Sequence, residues 1–433
     1  MNKKVAFKTL GCKVNSYDTQ AMLEKFVAAE YEVVDFRDFA DVYVVNTCCV
    51  TNLADKKSRQ TIGQARARNP KAIVVATGCA SQAEPLKYRD LGVDIVLGTT
   101  ERSDIVKFIE NFSNETIINV RQDILTHKEF EMMDATSDAG RTRAFLKVQD
   151  GCGNFCSYCI IPYVRGSSRS RPFDDALAQA KAFALAGCKE IVVAGIHVAS
   201  YGKDLDRWNL LDLLEKIANL DGIERLRLSS VEPMVVDAEF CDFIARTPKF
   251  CGHLHLSLQS GSDAVLSRMN RKYDKAGFKQ AVDDLRKILP EINITTDIIA
   301  GFPGETDEQH AETLSFLREL NLTKLHIFPY AAKKGTVAAK MQGQLPKHIK
   351  NKRVKDLVAL SGDLERAYYE KFIGRTMPVL FEDLSPDGFA RGKTANYVDV
   401  VVACNSPQET NVICDVMLET ADVHGLTGRI IET

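Results

Sequence analysis

The run Gly151-Cys152-Gly153-Asn154-Phe155-Cys156-Ser157-Tyr158-Cys159 places three thiols at C-x3-C-x2-C spacing. Three thiolates this close on one loop hold three irons of a 4Fe–4S cubane and leave the fourth iron open. An open position separates a reactive metal centre from a closed structural one, as it does for zinc. S-adenosylmethionine (SAM) can chelate that iron through its amino and carboxylate groups. An electron passed from cluster to sulfonium then breaks a carbon–sulfur bond homolytically. Zinc normally takes four ligands in two pairs, and an electron-transfer cluster wants a fourth cysteine. No fourth Cys or His lies nearby. Tyr158 puts a ring where it could pack on an adenine.

Cys12, Cys48 and Cys79 are far apart in sequence, yet each ends a similar phrase: KTLGC, VVNTC and VATGC. Each lies two or three residues past a predicted parallel strand. In an open α/β sheet the carboxyl ends of the strands share one edge, where ligands bind. The three thiols can therefore converge on a second cluster, again with three protein ligands. They can equally be three buried structural cysteines. Gly11 and Gly78 would let the backbone turn sharply before two of them. Cys49 competes with Cys48 and is expected to be a buried thiol. Cys188, Cys241, Cys251, Cys404 and Cys414 have no partner at ligand spacing and are expected in the core.

The elements that position these residues alternate strand and helix. Val5–Leu10, Val42–Asn46, Ile73–Thr77 and Val93–Leu97 are expected strands, with helices near 17–30, 53–68 and 81–91. The pattern predicts a doubly wound parallel-sheet domain. Leu125–Arg141 reads as a linker. Six further βα units follow. Their strands are expected at Phe145–Gln149, Glu190–Ala194, Arg225–Ser229, His253–Leu258, Asn293–Ile299 and Lys324–Phe328. Six units fall short of an eight-fold barrel and predict a partial (β/α)6 barrel, with the cysteine loop at its C-terminal mouth. A charged helix over about 347–372 leads out. The tail is β-rich over Met377–Glu382, Tyr397–Ala403, Asn411–Leu418 and Gly428–Ile431, with breaks at Ser385–Gly388 and Asn405–Pro407. It predicts a small β-barrel or sandwich. The whole is an α/β chain of three domains: 1–124, 140–372 and 373–433.

The 433 residues carry 45% apolar and 26% charged side chains, an ordinary globular composition. No apolar run is long enough to span a bilayer. The start lacks a signal-peptide core, so a reducing, cytoplasmic setting is expected for the twelve cysteines. The net charge of −2 advertises no nucleic-acid partner, but local charge does. Residues 56–71 and 340–355 each carry six Lys/Arg and no acid, and 141–171 carries six against Asp150. Such stripes can track a phosphate backbone or be plain solvated faces. The expected RNA contacts are Lys56, Lys57, Arg59, Arg165, Arg169, Arg171, Lys350, Lys352 and Arg353.

The motifs TLGCKVN (9–15), VVNTCCVT (44–51), TGC (77–79) and KVQDGCGNFCSYCIIPYVRG (147–166) resemble those of the radical SAM methylthiotransferases. The tail from about 373 resembles a TRAM domain, a small RNA-binding barrel. GCKVN, DKKSRQ (55–60), GIHVASYG (195–202), HLHLSLQSGSD (253–263) and RMNRKY (268–273) resemble the branch acting on N6-threonylcarbamoyladenosine beside the tRNA anticodon. The resemblance implies two 4Fe–4S clusters and two uses of SAM. One molecule would methylate a sulfur on the auxiliary cluster. Another would be cleaved to a 5′-deoxyadenosyl radical that takes the hydrogen from adenine C2, which the methylthio group replaces. From their places at or after successive barrel strands, Gly195, Ile196, Glu232, Gln259, Asp297 and Phe328 can reach SAM beside Tyr158. The alternatives are a plain βα turn at Gly195–Ile196, rim hydrogen bonders at Glu232 and Gln259, a strong turn after Asp297 and a core aromatic at Phe328. The Asp297–Glu305 segment would flank the adenine. The implied partners are a tRNA anticodon stem-loop, an external electron donor and a sulfur donor, with no membrane and the chain acting as a monomer. Sister activities on isopentenyladenosine tRNA or on a ribosomal-protein side chain are the alternatives. The basic stripes favour RNA.

Overall fold

A computed structural model describes residues 2–135, 142–385, 388–403, 410–422 and 425–431. Arg141, Pro386, Asp387, Cys404 and the Asn405–Pro407 break lie outside them, as does the end of the expected linker.

The first sheet has six parallel strands: β1 (Lys4–Thr9), β2 (Glu32–Val34), β3 (Val42–Thr47), β4 (Ile73–Gly78), β5 (Ile95–Leu97) and β6 (Ile117–Asn119). Their order is β2-β1-β3-β4-β5-β6, with parallel pairing throughout. The strand order reverses between β1 and β3, and that switch point opens the ligand crevice of a doubly wound sheet. β3 is buried at all six positions because helices cover both faces. The helix expected near 81–91 is split into Cys79–Ala83 and Pro85–Asp90. Pro85 has no N–H to continue the first helix but suits the first turn of the second. β2 and β6, three residues each at the sheet's edges, are too short to show a period in the sequence.

The second unit carries β7 (Arg143–Asp150), a two-residue antiparallel β8 (Arg169–Ser170), β9 (Glu190–Gly195), β10 (Arg225–Leu228), β11 (His253–His255), β12 (Asn293–Ala300) and β13 (Lys324–Pro329). The two sheets, β10-β9-β7-β8 and β11-β12-β13, meet through parallel bridges at Leu226–Phe250 and Val231–Leu256. Six parallel strands thus form an open barrel. Their outward residues, such as Ile191, Val193, Leu226, Leu228, Leu254, Ile294 and Ile298, pack in the main apolar core. The alternate, inward positions carry Arg143, Lys147, Glu190, Arg227, His253, His255, Asn293, Thr295 and Asp297. The lumen is polar, unlike the layered apolar interior of a closed eight-fold barrel.

Lys347–Tyr369 is a helix that leads to a closed five-stranded barrel. Its strands are β14 (Thr376–Ser385), β15 (Phe389–Thr394), β16 (Asp399–Ala403), β17 (Val412–Asp422) and β18 (Gly425–Ile430). β15 escaped the sequence pattern because glycine and charge dilute it. Tyr397, expected in a strand, instead turns at φ 66°. Its ring stacks on His253 at 4.7 Å and lies under Arg227 at 4.4 Å. Arg225 donates to Lys393 O and Pro378 O, both at 2.8 Å. The small barrel therefore plugs the N-terminal end of the (β/α)6 barrel, opposite the cysteine loop.

Candidate active site

The Cys152–Cys159 loop leaves the C-terminal end of β7 and is pinned on all sides. A side chain on Gly151 (φ +73°) would meet Ser167 O at 1.9 Å, so the turn requires glycine. The Gln149 amide donates to Asp150 O, Gly151 O and Ser168 Oγ at 2.7–2.9 Å. Its oxygen accepts the His197 N–H at 2.7 Å. Ser157 N–H and Oγ bond to Met269 O (3.0 Å) and Arg268 O (2.8 Å). The three thiols are half-buried. Burial, with neighbouring thiols adding to it, pushes Cys152 up to about 11 and Cys159 up to about 12. Deprotonation by iron is what such a set needs to ionise. Arg271 Nη1 lies 3.2 Å from Cys156 Sγ, a donor 115 residues away that no local spacing points to.

The residues expected around SAM share this rim. Glu232, just past β10, pairs with Arg271 at 2.7 Å. It accepts from Asn154 at 3.1 Å and faces His197 Nε2 at 3.2 Å. Burial would raise its pKa, but His197, Arg271 and Asn154 outweigh that and hold it below the usual range. Gln259, at φ 73°, bonds through its backbone to Asp297 O (2.8 Å) and Ile299 N (3.0 Å). Asp297 on β12 faces His255 Nε2 at 3.3 Å. Gly195 closes β9, and Ile196 follows it in the turn that Gln149 holds. Phe328, at the end of β13, is exposed. Tyr158 packs edge-on to Phe302 with centroids 6.5 Å apart, and its hydroxyl lies 3.5 Å from Arg271.

The second cysteine set lies at the switch point. Cys12 follows β1 and is the N-cap of the helix Lys13–Ala28. Cys48 follows β3. Cys79 follows β4 and opens a short helix after Gly78, whose φ is 102°. A Cβ on Gly11 would sit 3.1 Å from Cys48 Sγ, so the first two turns are in close contact. Burial first, then the Cys79 thiol, pushes Cys48 up to about 12. Cys79 is raised by burial and feels Cys12. Cys49 is buried beside them, in an apolar cluster that also holds Cys79, and burial followed by the Cys79 and Cys48 thiols raises its pKa. Among the described residues no three His, Cys, Asp or Glu side chains converge on a single ion. Cubane thiolates each bind a separate iron and stand farther apart than ligands sharing one. Both donor sets, three soft thiols each, fit a cluster with one open iron.

A buried ionic network joins the two sets. Arg165 lies one short helix, Ile161–Arg165, beyond the first loop. Its Nε donates to Cys79 Sγ at 3.2 Å. Its other nitrogens bond to Asp150 (2.9 Å), Asn15 (2.7 Å) and Asp18 (3.2 Å). Asp18 also receives Arg102 at 2.5 Å and Lys147 at 2.8 Å. This corrects the expectation that Arg165, Arg169 and Arg171 hold RNA phosphate. All three are enclosed where the first sheet docks on the barrel. Arg169 bonds to Arg165 O (2.6 Å), and Arg171 to the Tyr17 hydroxyl (2.8 Å) and Asp134 (2.5 Å). Arg353 is corrected likewise: it is buried on Glu305 (2.6 Å) and Asp307 (2.8 Å). Arg59 pairs with Asp55 at 3.4 Å, and Lys350 donates to Tyr330 O at 3.1 Å. Lys56, Lys57 and Lys352 are exposed.

A family profile described as "Uncharacterized protein family UPF0004" matches residues 4–98, and one described as "Radical SAM superfamily" matches 146–317. The threonylcarbamoyladenosine tRNA methylthiotransferase MtaB of Bacillus subtilis (strain 168) is 42% identical, the match covering 92% of this chain and 90% of that protein. The enzyme of the same name from Aquifex aeolicus (strain VF5) is 41% identical over 92% and 96%. A tRNA-2-methylthio-N(6)-dimethylallyladenosine synthase of Clostridium novyi (strain NT) is 33% identical over 99% and 97%. The solved radical SAM methyltransferase TsrM of Kitasatospora setae, with cobalamin and a [4Fe-4S] cluster bound, superposes with TM-score 0.57 at 15% identity, covering 78% of this chain and 77% of that one. That likeness is one of fold.

Proposed function

The chain belongs to the radical SAM tRNA methylthiotransferases, and from that premise we propose that it converts N6-threonylcarbamoyladenosine beside the tRNA anticodon to its 2-methylthio derivative. The relatives named for that nucleoside, at 35–42% identity, support the substrate. The observation that supports the chemistry is the pair of three-cysteine sets, with Arg165, which ends the short helix after the first loop, donating to Cys79 of the second. Cys152, Cys156 and Cys159 hold one 4Fe–4S cluster; Cys12, Cys48 and Cys79 hold the other. When bound, the clusters and SAM supply homolytic attack on an unactivated C–H bond and a deliverable sulfur, which acid–base groups cannot.

The chain's own residues orient and enclose. Glu232, fixed by Arg271 and Asn154, presents a carboxylate to the SAM amine or ribose. Gly195 and Ile196 offer backbone polar groups, while Gln259 lies past the end of β11 and Asp297 within β12. Tyr158 and Phe328 supply aromatic faces for the adenine. Lys56, Lys57 and Lys352, with the C-terminal barrel, contact the anticodon stem-loop. An external electron donor and a sulfur donor complete the reaction, a monomer suffices, and a reducing cytoplasm suits the free thiols.

Mass spectrometry of nucleosides from RNA incubated with the anaerobically reconstituted enzyme tests the reading. The 2-methylthio form of threonylcarbamoyladenosine is expected. Methylthiolation of dimethylallyladenosine alone would move the chain to the sister branch.

A further inference from the structure

Lys13 directly follows Cys12 and opens the helix Lys13–Ala28. Its side chain is half-buried and lies within electrostatic reach of Tyr397, Arg227, Arg143 and Glu190. It is also in reach of His253. Arg143, Glu190, Arg227 and His253 occupy inward positions of β7, β9, β10 and β11. The Lys13 ammonium therefore projects from the auxiliary cysteine set into the polar lumen of the barrel. Among the described residues it has no ion pair and donates no hydrogen bond. Glu190, the carboxylate among these neighbours, is already held by Arg227 at 2.7 Å. The first turn of the helix carries no acidic residue, and Cys12 gives it no side-chain cap. The first turn therefore supplies no anion to the ammonium. A cation partly withdrawn from water without a counter-ion is costly to keep unless a ligand neutralises it.

We propose that Lys13 is a specificity residue that binds the threonyl carboxylate of the substrate nucleoside. The inference rests on the function proposed above. A threonylcarbamoyl group, linked through its amine, leaves a free carboxylate; a dimethylallyl group is an uncharged hydrocarbon. On the adenine ring, C2 and the carbon bearing N6 flank the same nitrogen. When C2 faces the Cys12 cluster, the N6 substituent lies along that edge of the ring, beside the residue that follows Cys12. Lys13 then reads the charge that distinguishes the two substituents.

The test uses anaerobically reconstituted holoenzyme and two synthetic anticodon stem-loops. One carries threonylcarbamoyladenosine, the other its neutral carboxamide. Fluorescence anisotropy at one fixed salt concentration should show the wild type preferring the acid by about ten- to a hundredfold, the worth of one charge-assisted hydrogen bond. Lys13→Met should shrink that preference to within about twofold, from the same estimate. Its affinity for the carboxamide RNA, its iron content and its melting temperature should stay at wild-type values. Lys13→Arg, which keeps the charge, should retain most of the preference. A Lys13→Met enzyme that still prefers the acid as strongly as wild type overturns the proposal. So does one that loses affinity for both RNAs equally, since that marks a structural role. Failure of the wild type to methylthiolate the acid RNA would instead remove the function itself, and with it the premise.

Discussion

Asp18→Asn is the most direct probe of how the two cysteine sets are held together. Asp18 is fully buried on the Lys13–Ala28 helix and accepts from Arg102, Lys147 and Arg165 at 2.5, 2.8 and 3.2 Å. Burial alone would raise its pKa, but the three cations overcome that and hold it at about 2, down from 3.8. By linkage the carboxylate contributes roughly 2 kcal/mol to folding at neutral pH. The amide keeps the shape and removes the charge. Arg102, Lys147 and Arg165 are then left sharing Asp150 and Glu131. Breaking a buried ionic cluster on one side costs about 3–5 kcal/mol. For a domain of this size that is a fall in melting temperature on the order of 10 °C. Circular-dichroism melting of wild type and variant, with iron content matched, measures it. The pH course follows from the sign of the shift. Because the folded pKa lies below the unfolded one, the stabilisation is complete above about pH 4 and drains as pH falls towards about 2. The gap between the two proteins should narrow across that window. A difference under about 2 °C at neutral pH, or a gap that widens on acidification, would refute the account of the network.

Cys156→Ala should lower the reconstituted iron from about eight to about four per chain and abolish 5′-deoxyadenosine release; unchanged iron would remove Cys156 from the ligand set. Arg271→Leu strips Glu232 of its ion pair and Cys156 of a donor, so SAM affinity in equilibrium dialysis should fall about tenfold or more. Wild-type affinity would mean that Glu232 does not meet SAM. Changing Lys56, Lys57 and Lys352 together to Gln should flatten the slope of log K against log salt by about 2–3 for RNA binding. The buried Arg353→Gln should instead lower stability, because Glu305 and Asp307 lose their partner.

The sequence displayed the parts of the site that local rules govern. Cys12, Cys48 and Cys79 each follow a β-branched run, and a parallel sheet brings such strand ends to one edge whatever the sequence separation. The C-x3-C-x2-C loop and all six barrel strands were legible from spacing and period for the same reason. Partners were not. Arg165 meets Asp18 and Cys79 across 147 and 86 residues, and no periodicity encodes which buried carboxylate an arginine will find. The run around Arg165, Arg169 and Arg171 therefore looked like a phosphate-binding stripe. The distinguishing feature is burial, which arises only when the first sheet docks on β7. Arg353 misled in the same way, since its neighbours Lys352 and Lys355 are exposed while it turns inward.

That burial has a consequence for the chemistry. The loop bearing Cys152, Cys156 and Cys159 runs through Ile161–Arg165 to a side chain that touches Cys79. One continuous segment therefore contacts both cysteine sets. Its far end is fixed by bidentate bonds to Asp150, the residue that leads into Gly151 and the loop's start. A closed ring of backbone and ion pairs thus sets the distance between the two sites. Reactions that hand an atom from one centre to a carbon activated at another lose rate steeply when the centres drift by about an ångström. A rigid, dehydrated ionic joint limits that drift better than an apolar seam, because its geometry is directional and its rupture leaves charges unpaired. The network's cost in desolvation is therefore consistent with a role in fixing position, and the Asp18→Asn enzyme should lose coupling between radical formation and product before it loses either cluster.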